Sequence, residues 1–284
     1  MKNDYLIRAL SKNKEVRAFA VKSTSVVDKA MKSHESKKMS TIVLGEVLTS
    51  TLMMADMLKS SDDLITTIIK GNGPIKQVLV TGEYDGTVRG YVSNPNVDEL
   101  TSTSKAIGQG TLTVIRDLGM KEPYSSTLQL GSTSIANNLN YYFAQSEQTP
   151  SIVGLDVKVE DDKVIIAGGY IIQFMPNFSD KSLDIINKNI ANLPEISNIL
   201  LDGTPEDLLE KVMEGLEPTF SEKKEVAFRC NCSFNRGKKV LATLGKEEIN
   251  KLILEGKDIE VTCDFCSKRY KYTVDDLKEI LKEI

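Results

Sequence analysis

Four cysteines stand in the last 55 residues of this 284-residue chain, as Cys230-Asn-Cys232 and Cys263-Asp-Phe-Cys266. Two short loops, each carrying a pair of thiols and converging from positions remote in sequence, supply the four soft donors of a tetrahedral zinc site. The intervening 30 residues leave room for a strand, a turn and a helix that return the second loop to the first. The expected cofactor is therefore one zinc ion per chain in the reduced form, with Cys230, Cys232, Cys263 and Cys266 as ligands. The first pair is C-x-C, a departure from the common ribbon in which both pairs are C-x-x-C. Four thiolates around a divalent ion leave a net charge of −2, and Arg229, Arg236, Lys238, Lys239, Lys268 and Arg269 lie close in sequence to offset it. Deprotonated sulfur is also the form that oxidants attack, and a sulfenic acid on one cysteine has a neighbour to resolve it as a disulfide. In small zinc peptides the metal contributes about 10–16 kcal/mol that is folding energy, so oxidation of such a site means unfolding.

Other chemistry is poorly represented. His34 is the only histidine and lies among lysines and serines, which predicts a surface residue and leaves a Ser-His-Asp arrangement unsupported. Gly71-Asn-Gly73 follows a strand pattern but lacks the third glycine and following helix of a dinucleotide fingerprint, so it reads as a turn and no nucleotide site is expected. Cys263-Asp-Phe-Cys266 as the dithiol of an oxidoreductase would need a thioredoxin-like βαβ unit, and none surrounds it. The chain is not expected to be an enzyme. The longest apolar run, residues 167–175, is too short for a bilayer span, and the first eight residues lack a continuous apolar stretch; a cytoplasmic, non-membrane protein is expected. There thiols stay reduced, in keeping with a metal site.

The elements that must carry the cysteines fall into three parts, and the fold class expected is α+β. Residues 1–176 alternate as strands (5–9, 15–22, 64–70, 77–81, 87–92, 111–116, 126–130, 153–160 and 164–174), separated by turn signals such as Asp85-Gly86 and Asp161-Asp162 that favour antiparallel meanders in one large sheet. Two helices interrupt them. Residues 42–58 are apolar on several faces, with Met53, Met54 and Met57 as core filler, and residues 135–145 form a shorter helix. Residues 177–225 read as a helical linker: Leu183, Ile186, Ile190 and Leu193 form one apolar stripe, and Leu209, Val212, Met213 and Leu216 another after the capping sequence Thr204-Pro-Glu-Asp207. Helices this short need another surface to pack on. Residues 226–284 form a small terminal unit, with a helix over 246–255, a strand near 259–262 and a last helix over 274–284. A unit of this size commonly needs a metal or another staple. Charge follows the same division: residues 1–178 carry 19 basic and 19 acidic side chains, 179–229 carry 6 and 11, and 230–284 carry 11 and 10. No segment has the positive excess that binding a phosphate backbone requires.

Taken together, Asp4-Tyr-Leu6, Val16-Arg-Ala18, Gly73-Pro-Ile75, Gly90-Tyr-Val-Ser-Asn-Pro95, Gly110-Thr-Leu112, Ser146-Glu-Gln148, Ala167-Gly-Gly169, Ile171-Ile-Gln173, Met175-Pro176 and the two cysteine pairs resemble the heat-shock protein 33 family of redox-regulated bacterial chaperones over essentially the whole chain. That resemblance implies a folded N-terminal domain, a helical linker lying on it and a C-terminal zinc domain that holds the linker in place. It implies that the reduced, zinc-bound form is inactive. Oxidation then pairs Cys230 with Cys232 and Cys263 with Cys266, releases zinc and destabilises the linker. It further implies an active form that holds unfolding client proteins without ATP under oxidative stress, as a homodimer. The stripe residues Leu183, Ile186, Ile190, Leu193, Leu209, Val212 and Leu216 are then candidates for client contact, or a latch over a sheet surface that clients bind instead. The competing expectation is a zinc ribbon that binds nucleic acid through the basic clusters of its last unit.

Overall fold

The computed structural model describes residues 4–131 and 133–284, so Met1–Asn3 of the N-terminal stretch lie outside it. Its contacts divide the chain into two units, Met1–Arg229 and Cys230–Ile284.

The first unit runs β1 (Tyr5–Leu10), β2 (Val16–Lys22), α1 (Thr24–His34), α2 (Lys38–Ala55), β3 (Leu64–Gly71), β4 (Gln77–Glu83), β5 (Thr87–Val92), α3 (Thr103–Ile107), β6 (Gly110–Asp117), β7 (Tyr124–Gln129), α4 (Ile135–Gln145), β8 (Ser151–Glu160), β9 (Lys163–Phe174), α5 (Asp180–Ala191), α6 (Ile196–Asp202), α7 (Pro205–Val212), β10 (Thr219–Phe220), β11 (Lys224–Glu225) and β12 (Ala227–Phe228). The strands make two sheets, not the one large sheet expected. One has the order β10-β1-β2-β9-β8 with β11 also on β1, and the other β12-β5-β4-β3-β6-β7. Alternation along a strand says which residues share a face but not which strand is the neighbour. The reason for two sheets is α2, which packs on strands of both and buries residues on every side, Met53 and Met54 among them.

Within α2 the one charged residue of the middle turns is Glu46, a half-buried side chain beside Asp156. Burial, and secondarily the repulsion of Asp156, push its carboxyl up to about 8, so it is protonated at neutral pH. A carboxyl raised on folding binds more protons in the native state, so stability falls as pH rises from the unfolded value near 4.5 to about 8. Glu46→Gln is expected to remove that slope and to stabilise the protein at pH 7 by on the order of 1–3 kcal/mol, read from urea unfolding at pH 5.5 and 7.5.

No periodicity marks α1, which buries only Val26, Val27, Ala30 and Met31 among lysines and serines. At its end His34 is not a surface residue: it is half-buried, its Nε2 lies 3.0 Å from the Gly90 carbonyl oxygen and its ring meets Phe228 edge-on.

Residues 180–212 lie on one face of the first sheet as three helices. Ile186, Ile199, Leu200, Leu208, Leu209, Val212, Met213 and Leu216 are buried against Ile7, Ala9, Val16, Ala18, Ala20, Tyr170, Ile172 and Phe174, with Leu183, Ile190 and Leu193 partly buried around them. Small residues on the sheet make the trough. A Cβ on Gly168 would stand 2.3 Å from Leu200 Cδ1. Polar anchors fix the helix starts: the Glu15 carboxylate accepts from the Ser179 N–H at 3.1 Å and from the Ser179 hydroxyl at 2.7 Å, and Asp156 accepts from the Ser197 N–H at 2.8 Å. Thr204 and Asp207 form the expected capping box.

The end of this segment is strand, not helix. β10 and β11 pair antiparallel with β1, and β12 pairs parallel with β5, so residues 219–228 close one edge of each sheet. The contact boundary therefore falls after Arg229 rather than after residue 225, because Ala227, Phe228 and Arg229 are held by Gly86, Val88 and Asp85. Gly86 has φ +87°, and a Cβ there would lie 2.3 Å from the Glu225 carbonyl oxygen.

The second unit contains α8 (Phe234–Ala242), α9 (Gly245–Glu255), β13 (Ile259–Thr262), β14 (Arg269–Tyr272) and α10 (Val274–Glu283). Its buried core is Leu241, Ile249, Tyr272, Leu277 and Ile280, while Val240, Leu244 and Leu254 are exposed. Five buried side chains are too few to offset the entropy of ordering 55 residues.

Candidate metal centre

Each cysteine pair sits in a loop whose backbone is already folded around sulfur. Cys263 and Cys266 occupy the turn between β13 and β14. There the Ser267 N–H donates to the Cys263 carbonyl at 2.7 Å, the Cys263 N–H donates to Lys268 O at 2.9 Å, and Ser267 takes φ +57° to close the knuckle. Cys230 and Cys232 lie just ahead of α8, whose N-cap Ser233 accepts from the Arg236 N–H. The antiparallel β13–β14 hairpin and α8 bring the loops together, and Phe234 stacked on Tyr272 at 4.5 Å ties the helix start to the hairpin.

The four Sγ atoms all lie within 4.8 Å of one another. Cys230 Sγ is 3.7 Å from Cys263 Sγ, and Cys232 Sγ is 3.4 Å from Cys266 Sγ. Ligands at about 2.3 Å from a tetrahedral ion stand about 3.8 Å apart, so the set fits one metal ion and its all-sulfur chemistry is compatible with zinc. The backbone N–H groups of Cys232 and Lys268 are directed at the sulfurs of Cys230 and Cys266. Burial pushes the Cys230 and Cys266 thiols up. Burial also raises Cys232, but hydrogen bonds, led by that from Tyr270, outweigh it and hold this thiol below its ordinary value. Holding four thiolates this close together requires a cation.

All four sequence-predicted ligands converge. Three of the six basic side chains expected to balance them are engaged elsewhere: Arg229 with Asp85, Lys238 with Asp276 and Glu279, and Arg269 with Glu260. Loop N–H donors and Tyr270 act on the sulfurs instead. Tyr270, whose hydroxyl donates to Cys232 Sγ at 3.2 Å, escaped the sequence reading; its only signal is its position on β14, four residues beyond Cys266. Tyr270→Phe is expected to lower metal affinity about tenfold, the low end for loss of an outer-shell hydrogen bond, measured by chelator competition. The stripe residues Leu183, Ile186, Ile190, Leu193, Leu209, Val212 and Leu216 belong to the first unit and pack on its sheet, together with Ile199, Leu200 and Leu208, which the periodicity did not single out.

A family model described as Hsp33 protein matches residues 4–273. The chain belongs to the Hsp33 family. Among curated Hsp33 relatives, the 33 kDa chaperonin of Clostridioides difficile is 43% identical with 99% of both chains covered, and that of Agathobacter rectalis is 40% identical, covering 98% of this chain and 99% of its own. The crystal structure of the 33 kDa chaperonin (heat shock protein 33 homolog) from Thermotoga maritima superposes with a TM-score of 0.91 at 36% identity, over 98% of each chain. An Hsp33-type chaperone binds unfolded client proteins, a non-enzymatic role, and its cysteine cluster is compatible with zinc binding and redox-active disulfides. Among the described residues no helix is long and apolar enough to cross a membrane.

Proposed function

We propose that the protein is a cytoplasmic, ATP-independent holdase whose client-binding state is gated by oxidation of Cys230, Cys232, Cys263 and Cys266. The observation that carries this reading is a four-sulfur cluster in a unit with a five-residue core, at the end of a segment that covers an apolar sheet face. One zinc ion, held by the four thiolates, supplies the folding energy that this core lacks. In each pair a peroxide oxidises one thiolate to a sulfenic acid, the neighbouring sulfur displaces the hydroxyl, and two thiols and one peroxide become a disulfide and two waters. The pairing Cys230–Cys232 and Cys263–Cys266 is the one the family resemblance implies, within each loop rather than across the Cys230–Cys263 and Cys232–Cys266 contacts. With no thiolates left there is no donor set, and residues 230–284 unfold.

The consequence passes along the chain. Residues 1–176 stay folded, while the linker 177–225 and the strand β12 that follows it lose the folded unit, 230–284, next along the chain. β10, β11 and β12 are two residues each and run directly into Cys230, so little holds them once that unit melts. Release of residues 177–228 bares both the helix stripes and the sheet face of Ala9, Ala18, Ala20 and Ile172, an apolar surface for unfolding clients and for a second copy as a homodimer. The excess of acidic over basic groups in residues 179–229, 11 against 6, keeps the opened form in solution. The zinc-ribbon alternative loses support, since Lys238, Lys251, Arg269, Lys271 and Lys278 of the last unit are ion-paired with its own carboxylates.

The test treats purified zinc-loaded protein with peroxide while following zinc release, helix content and aggregation of a denatured client. Zinc loss with client aggregation suppressed is expected; zinc loss with suppression unchanged overturns the reading.

A further inference from the structure

We propose that the outer edge of β1 is a client-binding strand, which takes up an extended, alternately apolar segment of an unfolded polypeptide as an antiparallel neighbour in place of β10 and β11. This rests on the reading that residues 219–228 leave the sheets on activation.

The structure already holds one extended segment on this edge, with a single large apolar residue, Phe220. Phe220 is registered on Ala9 and Thr219 on Leu10, and the Ser221 N–H donates to the Arg8 carbonyl at 3.0 Å. Farther along, Lys224 and Glu225 are registered on Leu6 and Tyr5, and the Val226 N–H donates to the Asp4 carbonyl at 3.3 Å. The pairing is incomplete: two residues at each end are in register, and at the centre the Arg8 N–H reaches only a side chain, Ser221 Oγ at 3.2 Å. An uninterrupted client strand would satisfy this edge better than the chain's own segment does. Since Arg8 turns its backbone groups outward, so do Leu6 and Leu10, while Tyr5, Ile7 and Ala9 bond inward to β2.

The two faces beside the edge specify the side chains it accepts. Phe220 packs into the apolar cluster over Ala9 and Ala18, a place for one large apolar residue. By register Arg8, Leu10, Arg17 and Phe19 share the other face, and a cleft of about 340 Å³ along the edge is lined by them together with Ala9, Ala18 and the present occupant's Thr219, Phe220 and Ser221. Among the described residues Arg17 has no carboxylate partner; its Nε donates to Gln173 Oε1 at 2.9 Å. That face suits a polar or acidic side chain at the alternate position. An open edge of this kind gives affinity through backbone hydrogen bonds that any sequence can make, and selectivity through period-two pockets, which fits a binder of many unfolded chains.

The test is residue-resolved amide exchange of the full-length protein: reduced with zinc, oxidised, and oxidised with reduced carboxymethylated α-lactalbumin, whose binding is followed by anisotropy in the same samples. Expected is at least a tenfold loss of protection at Leu6, Arg8 and Leu10 on oxidation and at least a tenfold regain with the unfolded chain, while Tyr5, Ile7 and Ala9 hold steady. If the chain binds and the three outward amides stay open, or if they never open on oxidation, the edge is not the site. If the oxidised protein fails to bind at all, the functional reading falls and this proposal with it.

Discussion

Stripping the metal from the reduced protein with a strong chelator is expected to unfold residues 230–284 while leaving both large sheets intact. The second unit buries Leu241, Ile249, Tyr272, Leu277 and Ile280 and leaves Leu254 86% exposed, so its own core contributes a small part of what ordering it costs. Loss of a structural zinc removes about 10–16 kcal/mol, more than any single substitution in that core could. The first unit has its own extensive core on both sides of α2 and no cysteine, so it has no reason to follow. Amide protection should vanish across α8, α9 and α10 and persist in α2, β3 and β9. Re-adding zinc to the same sample should restore it. Cys232→Ser should reproduce the chelated state at ordinary zinc concentrations, since three sulfurs remain and a serine hydroxyl is not a soft thiolate donor.

Leu209→Ala is expected to make the reduced, zinc-loaded protein suppress client aggregation without any oxidant. Leu209 is fully buried between α7 and the trough formed by Ala9, Ala18 and Ala20. Removing a buried leucine side chain costs about 2–5 kcal/mol, equivalent to a shift of roughly 30- to 4,000-fold in the docking of residues 180–216 on the sheet. The four sulfurs are untouched, so zinc content should stay at one per chain. Leu201→Ala, at a position 51% exposed on the neighbouring helix, should change neither quantity. The pair of variants separates docking from redox chemistry, because activity gained at Leu209 with zinc retained assigns the cysteines to control rather than to binding.

How far the sequence anticipated these features depends on the range over which each is encoded. Strands such as β3 were legible from alternation, and α2 from apolar residues on every face, because both signals are local. The division into two sheets was not, since register is fixed by partners far away, as in Leu10 with Thr219. β10, β11 and β12 have two residues each and exist only because the edges of β1 and β5 hold them, so no local pattern marks them. α6 is seven residues long, too short for periodicity to declare itself, although it contributes Ile199 and Leu200 to the covered face. The convergence of the four cysteines was legible because spacing and residue type carry nearly all its information. Its surroundings were not: the loop N–H donors depend on the knuckle's backbone, and Tyr270 depends on the twist of β14.

The central claim is that oxidation of the four thiols frees residues 177–228 from the first sheet. It is tested most directly by following amide exchange in α5, α6 and α7 against zinc release in a single peroxide time course. Protection of Ile186, Leu200, Leu209 and Val212 should fall in step with zinc leaving and with the onset of aggregation suppression. If those amides stay protected while suppression rises to its full extent, the linker is not the gate and the account is contradicted.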